Sequence, residues 1–140
     1  MRVMVIVKAT EDSEAGVLPG TELLTEMGKF NDTLVKAGVM LAGDGLHASS
    51  KGLRVKFSAG KSTIIDGPFA ETRELIAGFW LWQVKSMDEA VEWIRRSPFK
   101  TSEQEIEIRR VFDAEDFGTN LPPELKAQEA RQRERIAGKN

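Results

Sequence analysis

Residues 1–112 read as an α+β domain on a βαββαβ plan, with a β-hairpin inserted after its second strand. Two long apolar strand runs carry that reading, together with two amphipathic helical segments and a close pair of alternating strands between them. Period-two and period-3.6 patterning separate these elements from one another.

Val3 to Val7, "VMVIV", is a β-branched run that predicts a strand buried on both faces. Lys8 to Gly20 reads as an acidic loop ending in Pro19-Gly20, and Thr21 is a suitable N-cap. Leu23, Met27, Phe30, Leu34 and Ala37 then share one helical face, and Gly38 closes the helix. Val39 to Leu46 begins as a strand and is expected to break at Gly43 and Gly45. Leu53, Val55 and Phe57 alternate with Arg54 and Lys56, which predicts a half-exposed strand. Ala59-Gly60 turns the chain back into Ser62 to Ile65, completing the hairpin.

Gly78 to Val84, "GFWLWQV", is the strongest strand signal. Trp80 and Trp82 share one face, Phe79 and Leu81 the other. Ser86 and Glu89 have capping-box spacing for a helix that buries Met87, Ala90, Val91 and Ile94, and Pro98 stops it. Ile106, Ile108 and Phe112 predict one face of a last strand. Residues 113–140 form a charged extension, expected to be helical after Pro122-Pro123 and to lie on the domain or on a partner.

Without the hairpin, this order is the ferredoxin-like split unit. Two helices cover one face of such a sheet, yet both faces of its long strands are apolar. A second copy packed sheet to sheet, as a twofold homodimer, would bury the remaining face. The alternative is a monomer whose C-terminal arm folds over it.

Composition narrows the chemistry. The 140 residues carry a net charge of −2 and no block of basic side chains, which argues against direct nucleic-acid binding. There is no cysteine and one histidine, His47, so thiolate and multi-histidine metal sites are not expected. No run approaches the roughly 18 apolar residues of a membrane span, and no signal peptide is recognisable. A cytoplasmic location, no metal and no cofactor are the expectations.

The pieces "GVMLAGDGL", "GLRVKF", "IIDGPFAETREL", "GFWLWQVKSMDEAVEW" and "EIEIRRVF" stand in an order and spacing that resemble the YCII-related family, in its DGPF branch. The resemblance covers roughly residues 1–112. It implies a dimeric α/β-barrel of ferredoxin-like subunits with a cleft between sheet and loops. It also implies a small-molecule-binding protein, or a small enzyme of lyase or isomerase type, doing acid–base chemistry there. The alternative it implies is a regulatory module linked to an extracytoplasmic-function sigma factor. Asp44 stands where the branch commonly has glutamate, and His47 where it commonly has proline. The early histidine of YciI-like members has no counterpart in residues 8–38.

Asp66-Gly67-Pro68 has the composition of a turn, with glycine for positive φ and proline for fixed φ. The carboxylate of Asp66 is open to a second role. If the loop after the second strand lies beside this turn, Asp44, His47, Asp66 and Glu71 form a polar cluster able to act as acid and base. Phe69 is either a loop anchor or a ligand platform. Arg73 and Glu74 are either a solvated face or the mouth of the cleft. Arg54 is either an exposed strand residue or an anion contact. Ser49 or Ser50 paired with His47 as a nucleophile is weaker, because no elbow motif supports it.

Overall fold

The structure, a computed structural model, describes residues 1–138. The chain divides into a first compact unit, Met1–Arg110, and a second that begins at Val111.

In the first unit, β1 (Arg2–Lys8) leads through the short helix α1 (Glu11–Glu14) to α2 (Thr21–Lys36) and β2 (Met40–Gly45). The hairpin β3 (Leu53–Ser58) and β4 (Lys61–Asp66) follows, then β5 (Ile76–Gln83), α3 (Met87–Arg95) and β6 (Ile106–Arg110). β2, β5, β1 and β6 lie side by side in one antiparallel sheet, while β3 and β4 form a separate two-stranded sheet. This is the expected mixed α+β architecture.

Register assigns the faces. Val3 opposes Trp82 and Val5 opposes Trp80, so these four side chains share one face. α2 and α3 close that face with Phe30, Leu34 and Ala90, all buried. Phe30 meets Trp80 and Trp82 edge-on, at centroid distances of 5.8 and 6.4 Å. Such contacts add about 0.5–1.5 kcal/mol beyond area burial. The tryptophan pair is therefore core. Met4, Ile6, Phe79 and Leu81 point the other way and stay partly exposed.

Several local expectations change. The acidic segment is not all loop: Thr10 and Ser13 cap each other reciprocally and nucleate α1. The N-cap of α2 is Gly20, not Thr21. β2 runs unbroken through Gly43 and Gly45, because β5 supplies a partner for each, Trp80 and Gly78. At Gly43 a Cβ would lie 2.7 Å from Trp80 Cδ1, so its glycine makes room for the indole rather than a break. Ser86 caps α3 by accepting from the Glu89 N–H, but the Glu89 carboxylate accepts from Lys85 rather than from Ser86. The hairpin is exposed along its whole length instead of half-exposed. Its turn has positive φ at both Ala59 and Gly60.

Phe112 does not belong to the last strand. It lies in the second unit, 66% exposed, and stacks on Phe117 at 5.0 Å. A 3-10 segment, Ala114–Asn120, and the helix α4 (Pro123–Gly138) make up the rest of that unit. A backbone hydrogen bond, then the nearby Lys126 ammonium, holds Glu115 below the usual carboxylate range. Among the described residues, no helix is long and apolar enough to cross a membrane.

Candidate functional site

The Asp66–Phe69 turn is shaped by the loop opposite it. Gly67 does not have positive φ, contrary to the turn chemistry expected, and its peptide bond to Pro68 is cis. Its glycine is required by proximity: a Cβ there would fall 1.8 Å from the Ser49 carbonyl oxygen. No side chain fits that gap without moving backbone. The Gly67 N–H donates to the Gly52 carbonyl at 3.0 Å, closing the base of the hairpin.

Ser49 ties this turn to the first loop of the chain. Its hydroxyl accepts from the Phe69 N–H at 3.0 Å and donates to the Glu14 carboxylate. The Ser49 N–H donates to the other Glu14 oxygen at 2.9 Å. Glu14 is the last residue of α1, and it and Ser49 are both partly buried. A carboxylate holding both a hydroxyl and an N–H is a charge-assisted arrangement, stronger than its neutral equivalent. Sequence reasoning missed Glu14. The signal available for it was the Thr10/Ser13 box, which sets a short helix and so fixes where Glu14 emerges.

Around this latch lies a cavity of about 370 Å³, to which Glu14 and Ser49 contribute polar lining together with His47, Lys51 and Arg54, while Leu46, Phe69 and Leu75 are apolar lining. The guanidinium carbon of Arg54 sits 3.7 Å from the Phe69 ring centroid. Arg54 Nη2 is also 3.8 Å from the Glu71 carboxylate, with both side chains about half exposed. That ion pair is weak, and the ring stacking defines the guanidinium position better. Phe69 is tied to Ser49 through its N–H and carries the Arg54 guanidinium on its ring at the cavity wall.

The expected four-residue cluster is not assembled. Asp44 lies within β2, opposite Phe79, and so points to the face away from the tryptophans. It borders a different cavity, of about 350 Å³, which α2 and β5 also line. Glu71, Arg73 and Glu74 line a third, of about 620 Å³, with Glu103 and Glu105. Asp66 ends β4 opposite Leu53 and is exposed. The cause is the continuity of β2: because it extends through Gly45, Asp44 has a fixed strand orientation and His47 alone enters the loop beside Ser49.

This grouping has a definite chemical capacity. Two cations can fix an anionic group, an imidazole can take or give a proton in neutral water, and the apolar wall suits a small organic body.

The profile of the YCII-related domain matches residues 1–115. An uncharacterized protein of Rhizobium meliloti is 46% identical over 41 residues, which is 29% of this chain and 33% of that protein. The chain thus spans about a third of the length of the curated relative it matches. A 5-chloro-2-hydroxyhydroquinone dehydrochlorinase from Burkholderia phenoliruptrix, solved with 2,5-dihydroxybenzoquinone, superposes with a TM-score of 0.48 at 14% identity. That match covers 83% of this chain and 98% of the other.

Proposed function

This chain belongs to the YCII-related domain family, and from that premise we propose that it binds a small organic molecule in the cavity beside the Asp66–Phe69 turn and moves a proton on it. The observation that carries this reading is the 370 Å³ cavity, where His47, Lys51 and Arg54 meet an apolar wall behind the Glu14–Ser49 latch. Lys51 and Arg54 attract an anionic or electron-rich group on the substrate. His47 acts as acid or base, and the reaction is of lyase or isomerase type. Glu14 and Ser49 position the loop and do not touch the reacting atoms. The "DGPF" sequence supports placing the chain in the branch of that name.

The same reading takes the subunit as ferredoxin-like and paired by a twofold axis into an α/β-barrel. Met4, Ile6, Phe79 and Leu81, apolar and partly exposed, supply the interface. Light scattering of the Leu81→Glu variant tests it: a dimer that becomes monomeric supports the pairing, and an unchanged mass sinks it.

A thermal-shift screen against small carboxylates, lactones and phenols tests the cavity. A ligand at about 100 times its Kd adds about 2.7 kcal/mol, a rise of several degrees for a chain this size. The expected result is a hit weakened by Arg54→Met, with His47→Gln removing pH-dependent turnover while binding persists. Hits indifferent to both substitutions would overturn the reading.

A further inference from the structure

The cavity between α2 and the sheet has a different construction and takes a different guest. Its origin is legible in the strand registers. Gly43 opposes Trp80, Gly45 opposes Gly78, and Val7 opposes Gly78. Opposed residues share a face, so Val7, Gly78 and Gly45 form one row on the side covered by the helices. Two of those three positions carry no side chain, and about 350 Å³ is left open there.

Glycine within a strand is unfavourable, and it commonly marks a bulge or the close approach of a ligand or another backbone. Packing explains two of the glycines. A Cβ at Gly43 would lie 2.7 Å from Trp80 Cδ1, and one at Gly78 would lie 3.0 Å from the Asp44 carbonyl oxygen. Gly45 has no such reason. The nearest atom to a Cβ there is the Ala77 carbonyl oxygen, at 4.0 Å, an ordinary contact. Its bare backbone faces the cavity instead.

Asp44 also borders the cavity, but its strand position turns its side chain to the opposite face; the remaining wall is aromatic and apolar, with one oriented amide. Met27 and Asn31 come from α2, and Trp80 and Phe99 meet edge to face at 6.2 Å. Asn31 Oδ1 accepts from Trp80 Nε1–H at 2.9 Å, which fixes the amide and leaves its NH2 as the donor at the wall.

We propose that this is a second small-molecule site, taking a flat, uncharged ring with one hydrogen-bond acceptor oxygen, a phenol, quinone or aromatic ketone. The ring lies over Gly45 against Trp80, and its oxygen accepts from Asn31 Nδ2. An ionised carboxylate is disfavoured, because Arg54 and Lys51 line the other cavity and this one offers no cation among its lining residues.

The test is a titration of the 15N-labelled full chain with 2-naphthol, followed in two-dimensional NMR spectra. The Asn31 side-chain amide and the Trp80 indole N–H cross-peaks should move saturably. Naphthalene, which lacks the oxygen, should bind about three- to tenfold more weakly. Gly45→Ala, which the backbone accommodates, should weaken binding, and Gly45→Val should weaken it by about tenfold or more. Gly45→Ala keeps the test decisive if the valine variant does not fold. His47→Ala should leave the titration unchanged. No saturable shift up to the solubility limit, equal binding in the glycine variants, or loss of binding in His47→Ala would each overturn the proposal. The last outcome would place the ring in the cavity beside the Asp66–Phe69 turn.

Discussion

β1 and β5 of the large sheet and β3 and β4 of the hairpin are built from similar residues and have opposite fates. Val3 and Val5 are fully buried and Trp82 with them, while Val55 is 48% exposed, Ile64 66% and Phe57 80%. Strand propensity is alike in the two regions, and what differs is the covering. Two helices close one face of the large sheet, whereas a two-stranded ribbon alone is marginal in water. The hairpin is held at its base instead, by the Gly67–Gly52 hydrogen bond and by the contacts Ser49 makes with Glu14 and Phe69. Stability is therefore concentrated in the sheet. The candidate proton-transfer site gathers where loops from three places in the chain are tied together, which is where binding residues tend to collect.

The largest expected effect breaks this comparison most directly. Trp82→Ala removes a fully buried ring and should cost about 3–5 kcal/mol in urea denaturation. Phe57→Ala in the hairpin should stay within about 0.5 kcal/mol. Similar losses for both would mean that the hairpin is covered in solution, and the contrast between the regions would fail.

The sequence made the sheet legible because its signals are strong and regular. "VMVIV" and "GFWLWQV" are too apolar for a loop, and Ser86 announces α3. What could not be read was proximity. Nothing in the local pattern says that Gly67 must clear the Ser49 carbonyl, since a turn glycine looks the same whether it serves φ or space. Glu14 was hidden for a similar reason: its partner is 35 residues away, and its short helix rests on a Thr/Ser box rather than the commoner Thr/Glu form. His47, Arg54 and Phe69 line one cavity, a grouping the local pattern did not offer, and Asp44 stands apart from it because β2 continues through Gly43 and Gly45 instead of breaking there.

Two substitutions at the tie between loops come next in size. Gly67→Ala forces backbone to move and should cost about 1–3 kcal/mol, as overpacking does elsewhere. Ser49→Ala leaves the partly buried Glu14 carboxylate and the Phe69 N–H without their shared hydroxyl, a loss of about 1–3 kcal/mol. Both should shift the Phe69 amide resonance while leaving that of Val5 in place. If Gly67→Ala were neutral, the two loops would not be pressed together in solution, and the hairpin would lack the anchor that distinguishes it from a free ribbon.

The smallest effect sharpens the account of what the hairpin contributes. Arg54 has two neighbours, the Phe69 ring at 3.7 Å and the Glu71 carboxylate at 3.8 Å. An exposed ion pair of that length is worth about 0–1 kcal/mol and weakens with salt, whereas a guanidinium over a ring keeps about 0.5–1 kcal/mol. Glu71→Gln should therefore change stability by less than Phe69→Leu does, and a double-mutant cycle should show coupling of Arg54 to Phe69 that persists in about 1 M salt. Coupling to Glu71 alone, vanishing in salt, would leave Arg54 free to leave the wall. Coupling to Phe69 keeps a cation fixed at the cavity by the same residue whose N–H is held by Ser49. In that case a weak contact on the least stable element sets the charge at the site, and ligand affinity responds to Arg54→Lys far more than folding does.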